Sequence, residues 1–311
     1  MSDLPKKVHV REVGPREGFQ FEKAMIPTAD KIAFVDALSA TGVKEIEFVS
    51  FVSPKWVPQM ADADAWTDGI TAKPGVKYIG LWLNQQGLDR AIAHKDKLFI
   101  RPQFSATASE TFSKKNTNKS VADRMAEMPE YVARYKSLGC DYVNLGVSTA
   151  FGCNYEGEIK PERVLSLLSE QASRARDLGV RLGDISLYDT MGWANPLQVK
   201  RLVGEVRNRW PDNPISLHLH DTRGLAMANF MAGLEMGVTH YESAVAGLGG
   251  CPFAAHRGAA GNVCTEDLVF NCQEMGIETG IDLDAMIAIA ETAERLVGHR
   301  SEEHTSELQS H

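Results

Sequence analysis

At 311 residues, with 43% hydrophobic and 24% charged positions, the chain has ordinary globular composition and is long enough for one large domain or two small ones. A formal net charge of −8 with no basic stripe argues against nucleic acid as a main partner. No apolar run approaches membrane-spanning length and Met1 to Lys7 is too polar for a signal peptide, so a cytoplasmic protein without a membrane partner is expected.

Strand-like and helix-like runs then alternate from one end to the other. The strand candidates are residues 8–13, 43–49, 76–81, 98–104, 142–147, 185–188, 215–219 and 241–245. Between them lie amphipathic stretches of helical period, among them 29–40, 122–138, 161–178, 196–210 and 225–236, several closed by a glycine as a helix end should be. Eight such units in this length predict an α/β fold, a (β/α)8 TIM barrel, with 283–297 as an extra C-terminal helix and residues 1–299 as one catalytic domain. A Rossmann domain is the structural competitor, but no G-x-G-x-x-G follows the first strand. The last stretch, 300–311, loses the helical pattern. It looks like the translation of a common sequencing-library adapter read into the gene, so it is set aside and the native C-terminus is expected to be missing.

In a barrel of this kind the chemistry sits where strands end and the following loops begin. Those positions hold Arg16 and Glu17 after the first strand, Glu47 and Ser50 after the second, Asp189 after the sixth, and His218 with His220 on the seventh. Residues 215–222 alternate apolar and polar, so both imidazoles should share one strand face with roughly 6 to 7 Å between Cα atoms, close enough to grip one metal ion. Two unrelated histidines at a strand end would give the same pattern. After the eighth strand come Gly247, Gly249 and Gly250, which give a loop access to positive φ and let it close while carrying Cys251; Asn262 and Glu266 follow. The five cysteines, Cys140, Cys153, Cys251, Cys264 and Cys272, contain no C-x-x-C pair, so neither a disulfide framework nor structural zinc is indicated. Cys251, in a mobile loop reached by solvent, is a candidate acid, base or nucleophile, although an inert cysteine in a glycine-rich turn fits the composition equally.

The motifs Val13-Gly14-Pro15-Arg16, the run from Ser50 to Met60, Lys114-Lys115-Asn116, Tyr155-Glu156-Gly157, Asp189-Thr190, His218-Leu219-His220-Asp221, Gly249-Gly250-Cys251-Pro252 and the run from Gly261 to Asp267 stand in an order that resembles the 3-hydroxy-3-methylglutaryl-CoA lyases, over nearly the whole chain. These belong to the wider group of metal-dependent barrel enzymes that make or break carbon–carbon bonds next to carbonyls. The resemblance implies a divalent ion, Mg2+ or Mn2+, held by Glu17, His218, His220 and Asn262. It implies an acyl-CoA substrate met by Gln20, Lys23 and Ser50, and a homo-oligomeric enzyme of leucine degradation. Arg16 would stabilise the developing oxyanion and Cys251 would move a proton to the acetyl-CoA carbanion. Asp189, Glu47 and Asp221 are candidates for the base or for orienting the others.

The sequence departs from that family in two places. The acid after the arginine is usually Asp and here is Glu17, one methylene longer, which shifts the ion or changes how the carboxylate meets it. The link from Cys251 to Asn262 is longer than usual and contains His256 and Arg257, either solvated loop residues or, for Arg257, a partner for a carboxylate or phosphate. Together these keep citramalyl-CoA or another branched 3-hydroxyacyl-CoA open as the substrate. A condensing enzyme like isopropylmalate or homocitrate synthase is a rival, but such proteins usually carry a further domain. A barrel that binds metal or acyl-CoA without turnover is the other, since a fold alone establishes no chemistry.

Overall fold

The computed structural model describes residues 4–23, 25–250 and 261–299. In chain order the strands are β1 (His9–Glu12), β2 (Glu45–Ser50), β3 (Lys77–Leu81), β4 (Gln103–Thr107), β5 (Tyr142–Ser148), β6 (Gly152–Cys153), β7 (Gly157–Glu158), β8 (Arg181–Tyr188), β9 (Ile215–His218) and β10 (His240–Ser243). The helices are α1 (Gly14–Phe21), α2 (Thr28–Leu38), α3 (Ala63–Gly69), α4 (Gln85–Ala93), α5 (Glu110–Thr117), α6 (Val121–Ala126), α7 (Met128–Ser137), α8 (Pro161–Asp177), α9 (Pro196–Arg209), α10 (Ala226–Glu235), α11 (Thr265–Glu274) and α12 (Leu283–Val297). One eight-stranded sheet runs in the order β3-β2-β1-β10-β9-β8-β5-β4, with parallel pairing at β1/β2, β2/β3, β4/β5, β5/β8 and β8/β9, while β6 and β7 form a small antiparallel hairpin. Strand followed by helix with parallel pairing is the architecture the alternation predicts.

The described residues divide into two compact units. The first comprises 6–101, 242–250 and 261–299. Its strands β1 to β3 bury Val10, Ile46, Phe48, Val49, Tyr78 and Ile79, and Phe19, Phe34 and Trp66 pack on them as a ladder of aromatic contacts with centroids 5.2 to 6.2 Å apart. Lys31 is buried among them: its ammonium lies 5.1 Å from the Trp66 ring centroid and donates to Asp62 Oδ1 at 2.8 Å and to the Gln59 carbonyl. Arg11 on β1 reaches Glu242 at 2.6 Å and Glu45 at 3.2 Å. Burial alone would raise Glu45, yet Arg11 and Lys77 hold its carboxyl down to about 2. The last helix, α12, starts at Asp282, which accepts from Ala285 N, buries Met286, Ile287, Ile289, Ala290, Ala293 and Val297, and stops at Gly298 with φ +79°. It occupies the residues expected of the extra C-terminal helix.

The second unit, 102–241, carries β4 to β9 with α5 to α10. Five of the seven residues of β5 are buried, as in a parallel strand covered on both faces. Helix α8 opens on Pro161 and turns Val164, Leu165, Leu167, Leu168, Gln171 and Ala175 inward at helical spacing. Helix α9 opens on Asn195, whose side chain accepts from Leu197 N and Gln198 N while Gln198 reaches back to Asn195 N.

Two expected elements differ. The stretch 98–104 is strand only from Gln103: Pro102 has no N–H to give a ladder, its carbonyl accepts from Asn144 N at 2.8 Å, and regular pairing to β5 runs from Gln103 to Thr107. The helix expected over 122–138 is two helices, α6 and α7, meeting at Glu127. Pro129 in the first turn of α7 lacks the donor that would continue the earlier helix.

Candidate active site

In the first unit α1 begins two residues beyond β1, so Arg16 and Glu17 sit in its first turns rather than in an open loop. Pro15 at the helix start needs no hydrogen-bond partner for nitrogen, and Gly14 through Phe19 are all buried. Burying a guanidinium demands carboxylates around it. Arg16 Nε donates to Glu47 Oε1 at 2.7 Å, Nη2 lies 2.6 Å from the same oxygen, and Nη1 lies 3.2 Å from Glu17 Oε2. Burial works against the charge, but Glu47, Glu17 and Glu242 outweigh it and lift the Arg16 pKa above its already high usual value. Arg16 is therefore a permanent cation aimed by β2.

The other end of this unit's site is the turn after β10. Val245–Gly247 is a short 3-10 turn in which Ala246 has φ +57°, and Gly247, Gly249 and Gly250 have φ +56°, +105° and +143°. The positive φ expected of these glycines is present. At Gly249 glycine is also required by space: a Cβ there would lie 2.6 Å from Asn262 Nδ2 and 2.9 Å from Glu17 Cγ. Asn262 is buried, donates through Nδ2 to the Leu248 carbonyl at 3.0 Å, and leaves Oδ1 with no hydrogen-bond partner. Ser50, also buried, leaves Oγ without one. Gln20 is half-buried and Lys23 exposed. Cys251, His256 and Arg257 lie outside the described residues.

In the second unit the regular part of β9 ends at His218, and His220 stands two residues later at a β-bridge position, so the strand proper carries one of the two histidines. The imidazoles are nonetheless adjacent, with ring centroids 4.8 Å apart at 68°. Both are buried. His220 Nδ1 lies 2.8 Å from the Asp189 carbonyl, which can only accept, so Nδ1 is the donor in this bond. Asp189 Oδ1 accepts from Trp193 N at 2.7 Å and Ala194 N at 3.0 Å, while Oδ2 has no hydrogen-bond partner. Burial raises the Asp189 pKa against the opposing effects of His220, these N–H groups and His218. Asp221 instead accepts from Ala226 N at 2.7 Å, fixing the start of α10. Tyr188, not singled out from the sequence, lies with its ring centroid 5.6 Å from that of His218.

Two further buried acids lie in the first unit: Glu266, which the sequence places after the glycine loop, and Glu12, which has no local signal. Glu12 is fully buried at the end of β1 and burial pushes its pKa up to about 7, while Glu266, in the first turn of α11, is pushed up to about 8. Glu12 reads as the polar position of a strand, so only tertiary burial distinguishes it.

A family model described as HMGL-like matches residues 7–293. The chain is 43% identical to the cytoplasmic 3-hydroxy-3-methylglutaryl-CoA lyase of Rattus norvegicus, over 91% of this chain and 79% of that protein. It is 38% identical to the hydroxymethylglutaryl-CoA lyase YngG of Bacillus subtilis, over 94% of each. Among solved structures, the HMG-CoA lyase of Bacillus subtilis superposes with a TM-score of 0.90 at 36% identity and full coverage of both chains. An HMG-CoA lyase from Acinetobacter baumannii, solved with coenzyme A and 3-methylmalate, gives 0.87 at 38% identity, covering 99% of this chain and 96% of that one. The fold is thus the (β/α)8 barrel of these lyases, and the chain belongs to the HMGL-like family.

Proposed function

We propose that this chain is a divalent-metal-dependent carbon–carbon lyase that splits 3-hydroxy-3-methylglutaryl-CoA into acetyl-CoA and acetoacetate, or a close branched analogue into acetyl-CoA and the corresponding oxo acid, by a retro-Claisen step. The observation that carries the reading is the buried Arg16, held by Glu47 and Glu17 in a chain of this family. A fixed cation at that place is what a developing oxyanion requires.

Glu17, His218, His220 and Asn262 are proposed as the ligands of one ion, Mg2+ or Mn2+. Their chemistry fits: Glu17, His218 and His220 are each buried and bear metal-ligating atoms, and Asn262 Oδ1 lacks a hydrogen-bond partner. Oxygen and imidazole donors suit such ions. The ion would supply Lewis acidity that eases deprotonation of the substrate's tertiary hydroxyl. Arg16 then stabilises negative charge on oxygen as the bond breaks, Asp189 or Glu47 takes up or relays the proton, and Cys251 delivers one to the acetyl-CoA carbanion. Gln20, Lys23 and Ser50 meet the CoA portion, with Ser50 Oγ open to accept or donate a hydrogen bond. The reading includes a cytoplasmic, homo-oligomeric enzyme; no helix among the described residues is long and apolar enough to cross a membrane.

A second substrate, citramalyl-CoA or a similar branched 3-hydroxyacyl-CoA, is favoured by the longer arm of Glu17. The test is purified protein with Mg2+ or Mn2+ offered a panel of 3-hydroxyacyl-CoAs, with acetyl-CoA release followed. Release from 3-hydroxy-3-methylglutaryl-CoA is expected. No release from any member of the panel would defeat the lyase assignment.

A further inference from the structure

Beneath the glycine turn of the first unit lies a buried polar network that the proposed chemistry does not use. Glu12 Oε1 accepts from Gly14 N at 2.7 Å and from Val245 N at 2.9 Å. Its Oε2 accepts from Thr265 Oγ1 at 2.5 Å, and Thr265 Oγ1 lies 2.7 Å from Ser243 Oγ. Glu266 continues the pattern one residue on: its two oxygens accept from Ala246 N at 2.9 and 3.2 Å, and Cys264 Sγ donates to Oε2 at 3.2 Å. Each donor is a group that burial would otherwise leave unsatisfied.

These bonds join particular pieces of chain. Gly14 is the first residue of α1, which carries Arg16 and Glu17. Val245 and Ala246 form the turn from which Gly247 to Gly250 depart, and Ala246 is held at φ +57°, a conformation a non-glycine residue keeps only when its surroundings enforce it. The fit is close throughout: a Cβ on Gly14 would lie 2.6 Å from Glu12 Oε1, and one on Gly18 would lie 2.7 Å from Leu248 Cβ. Leu248 O in turn accepts from Asn262 N and Nδ2, and Gly249 packs between Asn262 and Glu17.

We infer that Glu12 and Glu266 are positioning residues, two buried carboxyls that hold the Val245–Ala246 turn, Glu12 to the start of α1 and Glu266 to Cys264 at the start of α11, and so set where Arg16, Glu17 and Asn262 stand. Neither acts on the substrate. Burial raises both pKa values, and the hydrogen bonds that the two carboxyls accept oppose that rise. Removing these bonds leaves the fold's core intact and lets the first turn of α1 and the glycine turn drift apart, a displacement of the size that costs roughly 100-fold in turnover.

The test compares wild type with Glu12→Ala, Glu12→Gln and Thr265→Val in two assays on folded protein: Mn2+ binding followed by the electron paramagnetic resonance of free Mn2+, and the lyase reaction, which rests on the function proposed above. Glu12→Ala should weaken Mn2+ binding by about tenfold or more and lower kcat by roughly 100-fold with little change in KM, as loss of support behind ligands does. Glu12→Gln keeps an oxygen facing Gly14 N and Val245 N and should recover most of both. Thr265→Val preserves volume and removes one bond, so it should fall between them and serves if Glu12→Ala does not fold. A purely structural role would lower the yield or melting temperature of Glu12→Ala while each folded molecule bound Mn2+ and turned over normally; that result overturns the inference. Wild type that binds Mn2+ but releases no acetyl-CoA defeats the lyase reading alone, and the Mn2+ arm still decides this one. Wild type that does neither overturns both.

Discussion

Replacing Glu47 with Ala removes the oxygen that lies 2.7 Å from Arg16 Nε and 2.6 Å from Nη2. The guanidinium stays buried, about a tenth exposed, with the nearest remaining carboxylate oxygen at 3.2 Å on Glu17. Breaking one side of a buried pair costs about 3–5 kcal/mol, because the uncompensated charge has lost its water as well as its partner. Since Glu17 still neutralises part of the charge, the lower end is expected, about 3 kcal/mol. Removing all three charges of the cluster relieves the penalty, so Arg16→Met combined with Glu17→Gln and Glu47→Leu should be more stable than Glu47→Ala alone even though it loses three charged residues. Guanidinium unfolding at pH 7 measures both, and activity cannot substitute for it, because both variants should be inactive. A loss below about 1 kcal/mol in Glu47→Ala would mean that Arg16 rehydrates without cost and that burial does not dictate its geometry.

The two buried acids make stability depend on pH in a particular direction. Burial raises Glu12 to about 7 and Glu266 to about 8 from 4.5, so the folded state holds protons that the unfolded chain releases; stability is fully present below 4.5 and is lost as pH rises through 7 to 8. Unfolding midpoints at pH 5, 7 and 9 should fall in wild type and fall less in Glu12→Gln/Glu266→Gln, and a flat wild-type profile would contradict the assignment. Gly249→Ala, forced to φ +105° with its Cβ against Asn262 and Glu17, should lose about 1–3 kcal/mol and bind Mn2+ at least about tenfold more weakly. His218→Ala/His220→Ala should abolish stoichiometric Mn2+ retention, and full retention would remove the histidines from the ligand set. Glu17→Asp should raise kcat/KM for 3-hydroxy-3-methylglutaryl-CoA relative to citramalyl-CoA, and an unchanged ratio would mean that specificity is set elsewhere.

Periodicity made most of the barrel legible, because parallel strands and their crossover helices differ in apolar spacing over stretches long enough to read. It failed where one residue's missing donor decided the outcome: Pro102 delayed β4 to Gln103, and Pro129 divided α6 from α7. Helix α1 was hidden because Gly14-Pro15 reads as a turn, whereas the structure uses Pro15 as a helix opener. The histidine pair was legible as a spacing, yet β9 ends at His218 and the Asp189 carbonyl, a group every residue possesses, orients His220. Glu12 carried no signal at all. Its partners are Gly14, Val245 and Thr265, the last 253 positions away, and no local pattern reports a contact across that separation.

Lys31 offers an experimental handle on motion in the first unit. Its side chain is 1% exposed, whereas those of Lys77 and Lys114 are more than half exposed. An amine-acylating reagent should therefore modify Lys77 and Lys114 at once and reach Lys31 only when α2 lifts from Asp62 and Trp66. If that opening costs about 5 kcal/mol, Lys31 reacts about four orders of magnitude more slowly than a free amine. Mass-spectrometric timing of that one modification becomes a clock for local opening beside the Ser50 to Met60 segment, readable with no substrate bound.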